Sequence, residues 1–205
     1  GGRVFQLQDC QPDVLSLREK LLRKARVILL KLSPMLDWHA AVHQLDCVRE
    51  VHIVATGNEC KELLLVCSSE QIGDGNVCCV NNGQRFCFPM KTTPNTGLKT
   101  SQEIHMEDFL YEPNAAVMKG GCFGMLCEKY KVVALGHDSH LFTSPIMIDD
   151  FPGRRFRIKA VSSFNKKELN RNLGNIKQAN IAVRHFPLSA NELRKRLKLR
   201  DGGDT

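Results

Sequence analysis

No stretch of the sequence approaches the roughly 18 consecutive apolar residues that a membrane-crossing helix requires; the longest candidates, Val27–Leu32 and Leu63–Cys67, are strand-sized. That excludes an integral helical membrane protein and leaves no membrane partner to expect. The chain has no initiating Met and no apolar signal region; it opens Gly1-Gly2-Arg3 and is expected to be cut or processed from something longer. No internal repeat or low-complexity tract is present. No C-x-x-C occurs among the nine cysteines: Cys78 and Cys79 are adjacent, Cys87 lies eight further on, and Cys122 and Cys127 are five apart. A structural zinc site is therefore not expected, because close-spaced ligand pairs are its usual signature. The odd number excludes a complete disulfide framework, so buried free thiols and a reducing, cytoplasmic location are expected.

What the chain does have is a lopsided charge. Between Phe151 and Thr205 there are fourteen Lys and Arg against four Asp and Glu, a net +10, so the other three quarters carry −3 of the chain's formal +7. A small, strongly basic module on a mildly acidic body is the electrostatic footprint of nucleic-acid binding. Hydrophobic residues at 42% and charged residues at 25% otherwise describe an ordinary globular chain, long enough for one large domain or a few small ones.

Residues 12–25 place Val14, Leu17, Leu21 and Ala25 on one helical face, with Pro12 suited to a first turn. Val27–Leu32 reads as a strand buried on both faces. Ser33-Pro34 stops it, and Leu36–Leu45 reads as a helix. VREVHIVAT and ECKELLLVC around Gly57-Asn58 make an antiparallel hairpin. That order is the closing half of an α/β sheet. Asn76–Cys79 with Arg85–Phe88 forms a further hairpin, preceded by the turn signal Gly73-Asp74-Gly75-Asn76 and followed by a polar linker or lid at residues 89–104. From Pro113-Asn114 a helix is expected to run to Tyr130 despite Gly120, Gly121 and Gly124, which close packing would explain. Short strands follow at Val132–Leu135 and His140–Thr143. The basic segment reads β-α-β-α: Arg155–Val161, Lys166–Leu173, Ala179–Phe186 and Ser189–Leu199, the last opening with the Ser-x-x-acidic spacing of a capping box.

Several constellations invite chemistry. If the sheet is doubly wound, its carboxyl-terminal strand edges line a crevice, and Lys31, Ser33 and Asp37 face a substrate there. Helix capping explains Asp37, and Asp9 or Asp13 before the first helix, as readily. His39 and His43 share a helix face at chelating spacing, but no third ligand adjoins them. His137-Asp138-Ser139-His140 is read as a polar turn, since catalytic relays assemble from separate elements. Tyr111 beside Pro113 and Asn114 offers a base-stacking ring, or else a core anchor beside an N-cap. The strongest claim is the basic segment: Arg154, Arg155 and Arg157 enter a strand, Lys166, Lys167 and Arg171 lie on the next helix, Arg184 follows, and Arg194, Lys195 and Arg196 lie on the last helix. Guanidinium groups fork to phosphate oxygens and supply sequence-independent affinity.

LSPMLD at 32–37, VHIVATGNECKELLL at 51–65, LYEPNAAVMKGG at 110–121, DDFPGRRFRI at 149–158 and DGGDT at 201–205 resemble the C-terminal portion of bacterial class I S-adenosylmethionine-dependent methyltransferases. In these a Rossmann-like domain is followed by a ferredoxin-like segment and a THUMP-like domain. The resemblance implies an α/β fold: the C-terminal part of a Rossmann-like methyltransferase domain over residues 1–88, a ferredoxin-like segment over 105–150 and a basic THUMP-like domain over 151–205, the small domains being α+β. It also implies an RNA substrate, tRNA or rRNA, and S-adenosylmethionine as cofactor of the parent protein. The chain itself lacks the glycine-rich turn, the acidic residue and the Asp-Pro motif that hold the cofactor in such families, so it is expected to bind none and to supply no catalytic residue. A further strand is expected after Thr205, and exposed sheet edges would favour self-association. The alternative function is a non-catalytic basic module that docks an acidic partner.

Overall fold

The computed structural model describes residues 7–70, 75–93 and 95–203. Gly1-Gly2-Arg3, the Gly73-Asp74 half of the expected turn, Pro94 of the expected linker, and Asp204-Thr205 lie outside the described residues. The chain forms two compact units. One comprises Gly1–Leu98, Pro113–Lys131 and Asp149–Arg154, the other Lys99–Glu112, Val132–Ile148 and Arg155–Thr205.

The first unit is built on a five-stranded sheet of order β1-β3-β2-β4-β5, with β1 at Ile28–Leu32, β2 at Val48–Thr56, β3 at Glu59–Cys67, β4 at Asn76–Asn81 and β5 at Gln84–Pro89. Among the described residues of this sheet, β2 and β4 pair in parallel and the other neighbours antiparallel. The hairpins form where turn chemistry demands: Gly57 and Asn58 both have positive φ, 58° and 63°, as a tight β2–β3 turn requires. Asn82-Gly83 joins β4 to β5, there with positive φ at Asn82, 52°, but not at Gly83. Alternation sends Val51 and Ile53 of β2 and Leu63 and Leu65 of β3 into the core, all fully buried.

Helix α1 (Val14–Lys24) is capped by Asp13, whose carboxylate accepts from the N–H groups of Leu15 and Ser16, so Pro12 precedes the cap. Helix α2 (Trp38–Leu45) buries Trp38, Ala41 and Leu45. Strand β1 is not buried on both faces. It is an edge strand paired only with β3, and its residues alternate, leaving Leu29 63% exposed.

The helix expected over 113–130 is two helices, α3 (Ala115–Gly120) and α4 (Phe123–Tyr130). Gly121 ends α3 in the left-handed region at φ 73°, which glycine adopts at no steric cost. Close packing does explain two of the three glycines. A Cβ on Gly120 would lie 2.6 Å from Cys79 Sγ, and one on Gly124 would lie 1.9 Å from the Thr96 carbonyl oxygen.

A four-stranded sheet of order β7-β8-β6-β9 is formed by β6 (Phe109–Pro113), β7 (Val133–Ala134), β8 (Phe142–Ser144) and β9 (Gly153–Arg157). Tyr111 anchors it from within the core: its hydroxyl donates to the Ile146 carbonyl at 2.8 Å and accepts from the Ile148 N–H at 2.9 Å. The ring is fully buried, so the base-stacking alternative for Tyr111 falls away. Helices α5 (Lys166–Leu173) and α6 (Ala190–Leu197) follow, but Ala179–Phe186 is not a strand. Of that region only Gln178 makes a bridge, with Arg200. Its apolar residues alternate, yet among the described residues no strand pairs with them.

The cysteines also depart from expectation. Seven are free, five of them in the core of the first unit, but Cys78 and Cys87 are joined as direct cross-strand neighbours of β4 and β5.

Candidate nucleic-acid interface

The basic segment folds around two short, well-capped helices. Asn165 caps α5 by accepting from the Lys167 N–H at 2.8 Å. Glu168 in its first turn accepts from the Ser163 hydroxyl and N–H, and these bonds hold its carboxyl below the usual range. The capping box read from the sequence is present at α6: Ser189 Oγ accepts from the Glu192 N–H at 3.3 Å while the Glu192 carboxylate accepts from the Ser189 N–H at 2.8 Å. Leu193 is the buried anchor of α6.

Residues of α5, α6 and the segments flanking them line a groove of about 610 Å³. Leu169, Leu173, Ile176 and Leu197 give it an apolar floor, and Lys166, Lys177, Arg196 and Lys198 surround that floor with positive charge. No acidic side chain is among the described residues that line it. Phe164 forms one wall, with the Arg196 guanidinium 4.6 Å from its ring centroid and the Phe186 ring 5.7 Å away. Cationic side chains around an aromatic and aliphatic surface suit a polyanion whose charged backbone is accompanied by flat apolar bases.

The ten basic residues singled out in the sequence fare differently. Lys166 and Arg196 line the groove. Lys167 and Arg171 on α5 and Lys195 on α6 are exposed on the same helices. Arg157 is paired with Glu107 at 2.5 Å, Arg184 with Glu112, and Arg194 with Asp201 at 2.6 Å. Those three side chains are engaged inside the fold. Arg155 is exposed on β9; Arg154, also exposed, lines a separate pocket of the first unit with Asn58, Asn81, Asn82, Gln84, Asn114 and Gly153. Lys177 and Lys198, outside those ten, also line the groove. Lys177 has no signal in the sequence beyond its charge, whereas Lys198 follows Arg194 by four residues within the helix expected over Ser189–Leu199 and so shares its basic face.

The substrate-edge candidates occupy the β1–α2 connection. Lys31 pairs with Glu62 on the neighbouring strand at 2.6 Å. Ser33 Oγ accepts from the Met35 N–H at 3.2 Å, and the Asp37 carboxylate caps α2 by accepting from the His39 N–H at 2.9 Å. Each thus has a structural partner of its own. His39 stacks on Trp38 with centroids 3.5 Å apart, and among the described residues no group of three His, Cys, Asp or Glu is placed to hold a metal.

The cradle for S-adenosylmethionine in a Rossmann-like sheet is a glycine-rich strand-to-helix turn between parallel strands. Here the turn after β1 contains no glycine and spends its polar groups on its own backbone, and the parallel pair β2 and β4 is connected through the antiparallel β3. The described residues do not fit this cofactor.

Residues 109–152 match a family described as a ferredoxin-like domain, and residues 153–205 match one described as THUMP domain-like. Among solved structures, the chain is similar to a crystal structure titled "putative methyltransferase" from Porphyromonas gingivalis W83, at 33% identity and a TM-score of 0.85. The similarity covers 98% of this chain and 52% of that one, so this chain spans about half the length of that relative. No curated protein matches the chain.

Proposed function

We propose that this chain, a mixed α/β protein with the ferredoxin-like and THUMP-like domains of a methyltransferase family, is the part of an S-adenosylmethionine-dependent RNA methyltransferase that handles the RNA. The observation that carries the proposal is the groove of the THUMP-like segment, where four cations surround an apolar floor and an aromatic wall. Backbone phosphates engage Lys166, Lys177, Arg196 and Lys198, and an unpaired base lies on the apolar surface beside Phe164. The substrate class is a structured RNA such as tRNA or rRNA. S-adenosylmethionine supplies the methyl group in the whole protein; since the described residues form no cradle for it, their part is to bind and orient the RNA.

The test is fluorescence anisotropy of the chain with a labelled tRNA and an rRNA hairpin across a salt series. Affinity should fall with salt at a slope near −3 on logarithmic axes, as about four phosphate contacts imply. Reversing Lys166, Lys177, Arg196 and Lys198 to Glu should weaken binding at least about tenfold with the circular dichroism spectrum unchanged. Unchanged affinity in the folded variant would move the RNA to another surface. Equal competition by polyglutamate would identify the segment as a general acidic-partner module instead.

A further inference from the structure

Cys78 and Cys87 face each other in the antiparallel register of β4 and β5, their Cα atoms 4.2 Å apart. Arg85 lies two residues before Cys87 and so on the same face of the strand. Its Nε donates to Cys87 Sγ at 3.2 Å and its Nη2 to Cys78 Sγ at 3.5 Å, so one guanidinium touches both sulfurs. Strand β5 is the outer strand of its sheet; Arg85 is exposed, Cys87 half-buried and Cys78 only 6% exposed. The pair therefore combines an accessible sulfur, a sheltered partner within reach, and a fixed cation for the charge that either sulfur carries as thiolate.

Four other thiols of the same unit are harder to ionise. Burial pushes the Cys67 and Cys79 thiols up to about 12, and burial also raises those of Cys60 and Cys122, at Cys60 against the opposing influence of Lys119. Such thiols are poor nucleophiles, because the thiolate is the reactive form.

We propose that Cys78 and Cys87 are a reversible thiol–disulfide exchange site, with Arg85 as its positioning residue and a small disulfide of the glutathione class as its co-reactant. In the oxidising direction the Cys87 thiolate attacks one sulfur of the small disulfide, forming a mixed disulfide and releasing one small thiolate. The Cys78 thiolate then attacks the Cys87 sulfur, closes the cross-strand bond and releases the second small thiolate. The two protein thiols lose two protons and two electrons, and the small disulfide is reduced to two thiols. Arg85 holds the negative charge at each attacking sulfur. In a reducing compartment the pair rests as a dithiol, and oxidation staples the outer strand β5 to β4.

The test is a redox titration of the full chain in glutathione buffers of graded ratio, quenched with acid, unfolded in denaturant, alkylated and mapped by peptide mass spectrometry. The Cys78–Cys87 linkage should appear and disappear in a single two-electron transition while the other seven cysteines stay alkylatable throughout. A pair that stays linked, or stays reduced, at every ratio would overturn the proposal. In the reduced chain Arg85→Gln should slow alkylation of Cys87 at neutral pH about tenfold, as expected when a thiolate loses an adjacent guanidinium, and Arg85→Lys should recover part of the rate. Equal rates in all three would remove Arg85 from the site. Should Arg85→Gln not fold, Cys78→Ser still decides: it should trap Cys87 as a stoichiometric glutathione adduct, and absence of that adduct would sink the exchange mechanism.

Discussion

Tyr111 carries out at the residue scale what its neighbourhood in the sequence left open. Beside Pro113 and Asn114 its ring suits either a stacked base or a core, and burial decides for the core. Its hydroxyl serves two backbone groups, the Ile146 carbonyl and the Ile148 N–H, which hold the chain as it leaves β8. Removing the hydroxyl breaks two part-buried hydrogen bonds, each with a net value of about 1 kcal/mol. Tyr111→Phe is therefore expected to lower unfolding free energy in urea by about 2 kcal/mol, with the native spectrum retained. A neutral substitution would mean that water replaces the hydroxyl. Asn114 resolved the same way: it caps α3, its Oδ1 accepting from the Val117 N–H at 3.1 Å. Asn is a strong capping residue wherever it stands, so that role was legible without the fold.

At the scale of elements, the glycines between α3 and α4 separate two different requirements. Gly121 provides a left-handed end to α3, whereas Gly120 and Gly124 provide closeness. The neighbour of Gly124 is the rigid Thr96 carbonyl, while that of Gly120 is the Cys79 side chain. Gly124→Ala should therefore destabilise the chain by about 3 kcal/mol and Gly120→Ala by less, since overpacking costs about 1–3 kcal/mol where neighbours can adjust. Helix propensity alone would give the opposite sign, a gain of about 1 kcal/mol for each alanine. Urea unfolding of the two variants distinguishes the accounts, and stabilisation by Gly124→Ala would refute the packing one. The sequence showed three glycines in a helical pattern, but a helix broken at Gly121 and one continuing through it share the same periodicity. Strand β1 departs from expectation for a related reason: a continuous apolar run does not record whether the strand has one neighbour or two.

For the whole molecule, charge and topology bear on different halves of the proposed function. The net +10 of residues 151–205 was fixed by composition, and the fold concentrates part of it around one groove while engaging Arg157, Arg184 and Arg194 with carboxylates. The five-stranded sheet offers no glycine-rich cradle between parallel strands. Calorimetric titration of the chain with S-adenosylmethionine is accordingly expected to give no binding heat at micromolar concentrations. Micromolar binding would reveal a cradle formed in some other way.

By itself the sequence determined what depends on neighbours along the chain. That covers the β2–β3 hairpin with its Gly57-Asn58 turn, the capping box at Ser189, the helix Lys166–Leu173 and the basic character of the last quarter. Each rests on period, cap or turn chemistry that acts within a few residues. Only the tertiary structure decided which cations share a groove, because Lys166, Lys177, Arg196 and Lys198 meet through the packing of segments distant in sequence. It alone also decided that Cys78 and Cys87 are partners, since their pairing comes from the register of β4 against β5, and a spacing of nine residues says nothing of register until the turn between the strands is placed.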